Sequence, residues 1–178
     1  MTYSIGAFFD TQTETEIHRV WQVMSESGIA EYLYQSANRP HITLTIFEDL
    51  DLDKTSAVLC KLAGQFNRFP VSFQSISIFP KTNAVFLAPL VTPQLVKFQE
   101  SVHKALMSFA SLPDYPFYLP GQWIPHCSIA NYMPPENLLP AVQKAIETLT
   151  LPITGWITEV GLTSFSPVVH LMNCKLGD

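Results

Sequence analysis

The chain has 178 residues and a net charge of −5, with 47% hydrophobic and 14% charged residues. This composition predicts one folded domain and excludes a disordered chain, and apolar runs such as Ala84–Leu90 are too short to span a membrane. The 10 Lys and Arg residues are scattered singly, which argues against long nucleic acid as a partner, because proteins that bind it usually carry a basic stripe.

Strand and helix patterns alternate along the first half of the chain. Short apolar runs rich in β-branched residues predict strands, and apolar residues at i, i+3 and i+4 spacing predict helices. In the last strand of this half the apolar phase slips between Phe73 and Ile76, which indicates a bulge. The predicted elements are a strand at Tyr3–Asp10, a helix at Thr13–Tyr34, a strand at Pro40–Phe47, a helix at Asp53–Arg68 and a strand at Val71–Phe79.

The second half repeats this order. Prolines open its second helix, at a first turn where no hydrogen-bond donor is lost. The predicted elements are a strand at Ala84–Leu90, a helix at Pro93–Ala110, a proline-rich loop from Leu112 to Gly121, a strand at Ile124–Tyr132, a helix at Pro134–Leu149 and two strands at about Ile153–Phe165 and Val168–Lys175.

Each predicted helix has one apolar face, which we expect to be buried. The four faces comprise Ile17, Val20, Trp21 and Met24; Val58, Leu62 and Phe66; Leu95, Phe98, Val102 and Leu106; and Leu138, Val142, Ile146 and Leu149.

Two short segments match each other at an interval of 85 residues: Pro40–Leu44 (Pro-His-Ile-Thr-Leu) and Pro125–Ile129 (Pro-His-Cys-Ser-Ile). A phenylalanine followed closely by a proline comes at a similar distance after each, at Phe79 and Phe165. These landmarks predict an ancient duplication, with halves of approximately 1–82 and 83–178. We therefore expect one α+β domain of two lobes, with mainly antiparallel sheets lining a central cleft, helices outside and pseudo-two-fold symmetry.

Strand geometry sorts the residues of the two motifs. Because side chains alternate between the faces of a strand, His41 and Thr43 share one face while Ile42, Leu44 and Ile46 share the other. The apolar set belongs in the core, and the polar set faces water or a cleft. The second motif repeats the division, with His126 and Ser128 on one face and Cys127 and Ile129 on the other.

Two imidazoles and two hydroxyls in one groove suit the cleavage of a phosphodiester. In-line cleavage needs a base on the attacking oxygen and an acid on the leaving oxygen, and an imidazole that titrates at about pH 6.5 can serve as either. The hydroxyls can donate to the non-bridging oxygens as charge develops. The chemistry requires no metal, and no Cys-x-x-Cys, His-x-His or His-Glu-x-x-His pattern occurs, so neither a metal nor another cofactor is expected.

The paired His-x-Thr/Ser-x motifs, one in each half of a repeated chain, resemble the 2H phosphoesterase superfamily, in particular its branch of 2′-5′ RNA ligases and cyclic phosphodiesterases. The resemblance covers nearly the whole chain. It implies a bilobed α+β fold with a central cleft, and it implies that His41, Thr43, His126 and Ser128 are catalytic. The second motif has Ser where Thr is common, which keeps the hydroxyl and loses a methyl group.

The leading hypothesis is metal-independent hydrolysis of 2′,3′-cyclic phosphates on nucleotides or short RNA ends. Two alternatives stay open: joining or cleavage of 2′-5′ linkages at RNA ends, and a nucleotide-binding module without turnover. The motifs do not indicate which histidine is the acid and which the base. We expect a monomer, because no coiled-coil pattern occurs, and a cytoplasmic location, because the N-terminus lacks the basic region of a signal peptide.

Six further residues are candidates for substrate contact. Arg39 and Lys81 can hold a phosphate, although a solvated surface charge is the usual role of a single basic residue. Aromatic rings beside a phosphate site can stack a nucleobase, although they can equally pack the loop or the core. The aromatic candidates are Tyr115 and Trp123 for the base, and Phe79 and Phe165 as flanks of the groove.

The remaining histidines and the cysteines predict no further chemistry. We expect His18 and His103 to be exposed on helices and His170 to flank the cleft. Three cysteines, Cys60, Cys127 and Cys174, are odd in number and widely spaced, which argues against a disulfide framework and for a reducing compartment. Cys127 is expected to be a small core residue.

Overall fold

The computed structural model describes residues 2–108, 110–111, 116–165 and 167–178. Within these ranges the chain forms nine strands, five α-helices and 3₁₀ turns at Pro116–Tyr118 and Pro135–Asn137. The strands are β1 (Tyr3–Phe9), β2 (His41–Phe47), β3 (Asp49–Leu50), β4 (Phe69–Phe79), β5 (Ala84–Pro89), β6 (Ala110–Ser111), β7 (Cys127–Ala130), β8 (Ile153–Ser164) and β9 (Val169–Lys175). The helices are α1 (Thr11–Glu26), α2 (Tyr32–Gln35), α3 (Leu52–Ala63), α4 (Pro93–Leu106) and α5 (Leu138–Thr148).

Seven of these strands form one antiparallel sheet, which confirms the predicted α+β class. Its order is β2-β1-β8-β4-β5-β7, and β9 pairs with β8. The short strands β3 and β6 pair separately. Strands β2 and β7, which carry the two His motifs, are therefore the two ends of this order.

The last sheet strand of the first half, β4, and its counterpart in the second half, β8, pair with strands of the other half of the sequence. Strand β1 lies between β2 and β8, and β5 lies between β7 and β4. These two triplets are equivalent if β1, β2 and β4 of the first half correspond to β5, β7 and β8 of the second. Duplication of the chain, and the division into two lobes, stay predictions with which this pairing agrees.

Helix boundaries follow from local capping. Asp10 caps α1 by accepting a hydrogen bond from the Thr13 amide at 3.0 Å, which satisfies one of the free donors of the first turn. The predicted helix Thr13–Tyr34 was too long, because α1 ends at Glu26 and Gly28 adopts a φ of +65°. A left-handed residue of this kind terminates a helix, and glycine adopts it without steric cost.

The predicted faces of α1 and α4 are confirmed, since all eight residues are buried. In α3 the predicted face is confirmed at Leu62, which is buried, whereas Val58 is only partly buried and Phe66 lies beyond the end of the helix. Thr55 and Leu59, outside the predicted face, are buried too. In α5 the predicted face is confirmed only in part, because Leu138, Val142 and Leu149 pack, partly buried, against the core whereas Ile146 does not. The buried residues of α5 are Ala141 and Ala145, with small side chains that allow close packing, and Ile146 is 64% exposed.

The predicted bulge in β4 is confirmed. The register of β4 against β5 shifts between Phe73 and Ser75, inside the interval over which the apolar phase of the sequence slips.

Cys60 and Cys174 form a disulfide, with their Cα atoms 5.2 Å apart. The prediction of unpaired cysteines was therefore wrong. The two residues are separated by 114 positions, and only the packing of α3 against β9 brings them together, which spacing cannot reveal. The expected cytoplasmic location loses the support that unpaired cysteines gave it and stays a prediction. None of the described helices is long and apolar enough to cross a membrane.

Candidate active site

The edge strands β2 and β7 lie close together, although they are the two ends of the sheet order. Residues of β2 contact residues of β7, and the backbone of His41 on β2 lies beside the thiol of Cys127 on β7. Cys127 is fully buried, as predicted, and burial raises the pKa of its thiol to about 12. The thiol is therefore protonated near neutrality, which fits a packing role better than a nucleophilic one.

Both motif strands carry a bulge at the same position. Leu44 is the extra residue when β2 pairs with β1, and Ile129 is the extra residue when β7 pairs with β5. A bulge reverses the alternation of the residues that follow it. The prediction that Ile46 faces the core was therefore wrong, since Ile46 lines the cavity, as does its counterpart Asn131.

The four residues predicted to be catalytic line one cavity of about 390 Å³. His41 and Thr43 reach it from β2, while His126, directly before β7, and Ser128 on β7 reach it from the other side. Each of these residues is partly buried, between neighbours that are fully buried. The predicted division of each motif into a polar and an apolar face is therefore correct for the residues that precede the bulge.

The two imidazoles are held in the same way. Nδ1 of His41 lies 2.6 Å from the carbonyl oxygen of Arg39, and Nδ1 of His126 lies 2.7 Å from that of Ile124. A carbonyl only accepts, so Nδ1 is the nitrogen that carries the proton in both neutral rings. Nε2 of each ring then remains available to take or give a proton, and the hydrogen bond fixes the orientation of the ring.

Burial lowers the pKa of both histidines. For His41 the pKa falls from 6.5 to about 4, chiefly because the ring is desolvated, and the positive charges that His126, His170 and Arg39 can carry lower it further. For His126 burial also lowers the pKa, against a smaller opposing effect of its hydrogen bond to Ile124. Neutral rings are thus favoured in the free protein, and an anionic ligand between them would favour protonation.

Two tryptophans brace the motif strands from the opposite halves of the sequence. The indole Nε1–H of Trp21 on α1 donates to the backbone oxygen of Ser128 at 3.0 Å, and that of Trp123 donates to the backbone oxygen of Thr43 at 2.9 Å. Edge strands present backbone groups without a ladder partner. Each indole satisfies one such oxygen at a hydroxyl-bearing residue of the cavity. Sequence analysis missed this role, and assigned Trp21 only to the core.

The predicted phosphate-binding residues lie outside the cavity wall. The Arg39 guanidinium bonds Glu14 at 2.8 Å and Glu159 at 3.2 Å, and it lies 4.6 Å above the centre of the Phe8 ring. Lys81 is exposed. Neither basic residue is among the described residues that line the cavity. Arg39 instead supports His41 through its backbone oxygen, with its side chain engaged by two carboxylates.

The predicted aromatic contacts are distributed differently. Phe165 lines the cavity. Phe79 packs edge-on against the His126 ring, with 4.9 Å between ring centroids, and does not belong to the described lining. Trp123 is partly buried and uses its N–H on Thr43, outside the described lining. Tyr115 lies outside the described residues.

The other histidines behave differently from one another. His18 is exposed, as predicted. The prediction for His103 was wrong: it is 7% exposed, with Nδ1 3.4 Å from the Thr45 hydroxyl, because α4 packs this face against β2. His170 is not among the described residues that line the cavity, but it lies close enough to His41 for its charge to affect the pKa of that residue, and its Nε2 is 2.9 Å from the backbone oxygen of Ala37. In the part of the chain that the structure describes, no group of three or more His, Cys, Asp or Glu side chains is arranged to hold a metal ion.

Two rim residues, Tyr32 and Tyr132, line the cavity and were missed by sequence analysis. Tyr132 belonged to the predicted strand Ile124–Tyr132, so that its side chain was assigned no role. Strand β7 ends at Ala130, and only the geometry after that point brings Tyr132 to the cavity. The sequence gives no signal for Tyr32, whereas regular alternation along the predicted strand would have placed Tyr132 on the face of His126 and Ser128.

Comparison with known proteins gave a family match and a set of similar structures. The model of a family described as the 2′-5′ RNA ligase superfamily matches residues 9–166. The chain is similar to the crystal structure of TT0787 of Thermus thermophilus (13% identity, TM-score 0.64, covering 100% of both chains). It is also similar to E. coli LigT complexed with 3′-AMP (16% identity, TM-score 0.62, covering 99% of this chain and 98% of that one).

A crystal structure described as a phosphoesterase is similar too, with 15% identity and a TM-score of 0.63 over 99% of both chains. At these identities the likeness concerns the fold. No curated protein sequence matches the chain.

Proposed function

The chain belongs to the 2′-5′ RNA ligase superfamily, whose fold and phosphoesterase character it shares, and from that premise we propose that it hydrolyses 2′,3′-cyclic phosphates of nucleotides or short RNA ends without a metal. One observation carries the proposal. His41 and His126 line the same cavity, and each donates Nδ1–H to a backbone oxygen, which leaves both Nε2 atoms for proton transfer.

The proposed reaction divides proton transfer between the two imidazoles. One neutral histidine removes a proton from water through Nε2 as the water oxygen attacks phosphorus. The other histidine, protonated, gives its Nε2 proton to the ribose oxygen that leaves, and the product is a phosphate monoester. After the reaction the histidine that acted as base is protonated and the one that acted as acid is neutral. Proton exchange with solvent restores the starting state. Each positioned proton transfer typically contributes about 10²- to 10⁴-fold in rate.

Thr43 and Ser128 are proposed to stabilise the transition state. Their hydroxyls line the same cavity as the imidazoles and can donate hydrogen bonds to the non-bridging phosphate oxygens, where negative charge increases. Such donors typically contribute about 10²- to 10³-fold in rate when they are preorganised. The indole bonds of Trp21 and Trp123 hold the backbone of these two residues and so limit their movement.

The substrate class follows from the size of the cavity and from the fold neighbours. A volume of about 390 Å³ suits a ligand of nucleotide size, and E. coli LigT has been crystallised with 3′-AMP, NADP+ and ATP. The family is named for joining RNA through 2′-5′ linkages, and the same two proton transfers would serve that reaction. We propose a monomer of cytoplasmic location that acts on such small ligands.

The test is a turnover assay with 2′,3′-cyclic AMP, GMP, CMP and UMP in EDTA. We expect wild-type activity to survive the chelator, and His41→Ala and His126→Ala each to lose about 10²-fold or more. His18→Ala is the matched control, because His18 is exposed and lies outside the described cavity lining. Thr43→Val and Ser128→Ala should lower kcat more than they raise KM.

Equal rates in wild type and both active-site variants would reject the mechanism. A wild type without activity on all four nucleotides would reject them as substrates. The same comparison is then made with oligonucleotides that end in a 2′,3′-cyclic phosphate and with oligonucleotides that contain one 2′-5′ linkage.

A further inference from the structure

Two exposed tyrosines form a pair at the rim of the cavity. The rings of Tyr32 and Tyr132 meet edge to face, with 4.7 Å between centroids and 67° between planes. Tyr32 is 36% exposed and Tyr132 is 80% exposed, and both line the cavity that contains His41 and His126. The pair therefore places a largely exposed aromatic ring, supported by a second ring, at the edge of a polar site.

The backbone holds Tyr132 in place at some cost. Its φ is +49°, in the left-handed region that residues other than glycine, asparagine and aspartate rarely adopt. The ring gains little from burial to offset this cost, because most of its surface is open. A strained backbone that displays an open ring beside a cavity is better explained by ligand contact than by packing.

The residue before Tyr132 leaves a polar atom unused. Asn131 faces the cavity because the bulge at Ile129 reverses the alternation of the strand. Its Oδ1 is shielded from solvent and has no hydrogen-bond partner among the residues that the structure describes. Buried acceptors are rarely left in this state. Rotation of the Asn131 side chain would turn this oxygen into the cavity, where a donor on a ligand would satisfy it.

We propose that Tyr132, supported by Tyr32, stacks the nucleobase of the substrate, and that Asn131 hydrogen-bonds the edge of that base. This rests on the proposed function for the position of the phosphate between the two histidines. The ligand class is then a nucleoside phosphate, recognised through its base as well as through its phosphate. Stacking on a tyrosine tolerates every base, whereas the amide oxygen favours bases that present an exocyclic amino group, such as adenine and cytosine.

The test compares a nucleotide with an analogue that lacks the base. The two substrates are 2′,3′-cyclic AMP and the 2′,3′-cyclic phosphate of 1-O-methyl-ribofuranose. For wild type we expect kcat/KM to be higher for the nucleotide, and we expect Tyr132→Asn to reduce this preference by roughly 5- to 100-fold, through KM rather than kcat. Asparagine tolerates a positive φ, so the substitution removes the ring without adding strain. Tyr132→Trp keeps a ring and should retain the preference.

A second variant tests the amide. Asn131→Leu keeps the size of the side chain and removes its polar atoms, and we expect it to reduce the preference for 2′,3′-cyclic AMP over 2′,3′-cyclic UMP. Trp156→Leu is the control for loss of an exposed ring, because Trp156 is 46% exposed and lies outside the described cavity lining.

Binding measurements separate this proposal from the proposed function. Adenosine 3′-monophosphate and ribose 3-phosphate are titrated calorimetrically into wild type and Tyr132→Asn. Tighter binding of the nucleotide by wild type, lost in the variant, supports the base subsite even in a protein that hydrolyses nothing. Equal nucleotide preference in wild type and Tyr132→Asn, in binding or in turnover, overturns the subsite and leaves hydrolysis by the histidines intact.

Discussion

The buried state of His41 makes the stability of the protein depend on pH in a defined direction. The pKa of His41 is about 4 in the folded protein against 6.5 for the free side chain. Between these two values the unfolded chain binds a proton at this residue and the folded chain does not. Protons therefore favour the unfolded state. We expect the free energy of unfolding to fall as the pH drops from 6.5 to 4, and the loss from His41 to level off below pH 4.

The shift sets the magnitude. A difference between 6.5 and about 4 corresponds to about 3.5 kcal/mol at about 1.4 kcal/mol per pKa unit. At pH 5 the contribution is about 2 kcal/mol by the same linkage relation. These are upper values, because His41 is only partly buried and lines an open cavity. The free energy of unfolding of native proteins usually lies at about 5–15 kcal/mol, so a loss of this size between pH 7.5 and pH 5 is measurable.

A double comparison isolates His41. Urea unfolding of wild type and His41→Gln is followed at pH 7.5 and at pH 5, and the pH-dependent loss of stability is compared between the two proteins. His126 and His103, whose pKa values burial also lowers, titrate in both proteins, and their effects largely cancel. We expect wild type to lose up to about 2 kcal/mol more than the variant. Equal losses would show that His41 is not desolvated in the folded protein, and would refute the reasoning.

Two further predictions concern the tryptophan braces and the pH dependence of the rate. Trp21→Phe and Trp123→Phe each leave a backbone oxygen without its hydrogen-bond donor. We expect kcat to fall about tenfold or more with a smaller change in KM, because small displacements of reacting groups are costly. Trp156→Phe is the control, and kcat values close to wild type in both brace variants would contradict the role. The profile of kcat/KM against pH should be bell-shaped with an optimum below pH 6.5, because burial lowers the pKa of His41 and of His126. Falling pH protonates the base and rising pH deprotonates the acid, so an optimum above pH 7 would show that these shifts do not govern the reaction.

The sequence predicted those parts of the site that depend on local periodicity. Alternation along a strand was enough to separate His41 and Thr43 from Ile42, because three residues of regular strand carry the information. It failed at Ile46, because an extra residue at Leu44 cannot be distinguished in sequence from an ordinary strand position. The same limit hid Asn131 in the second half, because the extra residue at Ile129 moves its side chain to the cavity face.

Long-range pairing was the other limit. Helices α1 and α4 follow a clean helical period, and their buried faces were predicted correctly. The disulfide between Cys60 and Cys174 and the indole bond from Trp21 to Ser128 join segments more than 100 positions apart. Residue type restricts such pairs, but only the packed sheet decides which of them meet.

The crossed pairing of β4 and β8 restricts how this fold arose. A chain with only the first half would hold β1, β2 and β4, yet β4 pairs with β5 and β8 and not with β1 or β2. Alone, it would leave β4 without either of its neighbours and β1 with one open side. In a dimer of two such chains, each copy of β4 could pair with β1 and β4 of the other copy. The two motif strands would then face each other across the dimer axis. If the chain arose by duplication, its ancestor is therefore expected to have been a strand-exchanged homodimer with a symmetric pair of histidines. Fusion of the two copies would have allowed each half to change separately. Ser128 and Asn131 accordingly differ from their counterparts Thr43 and Ile46.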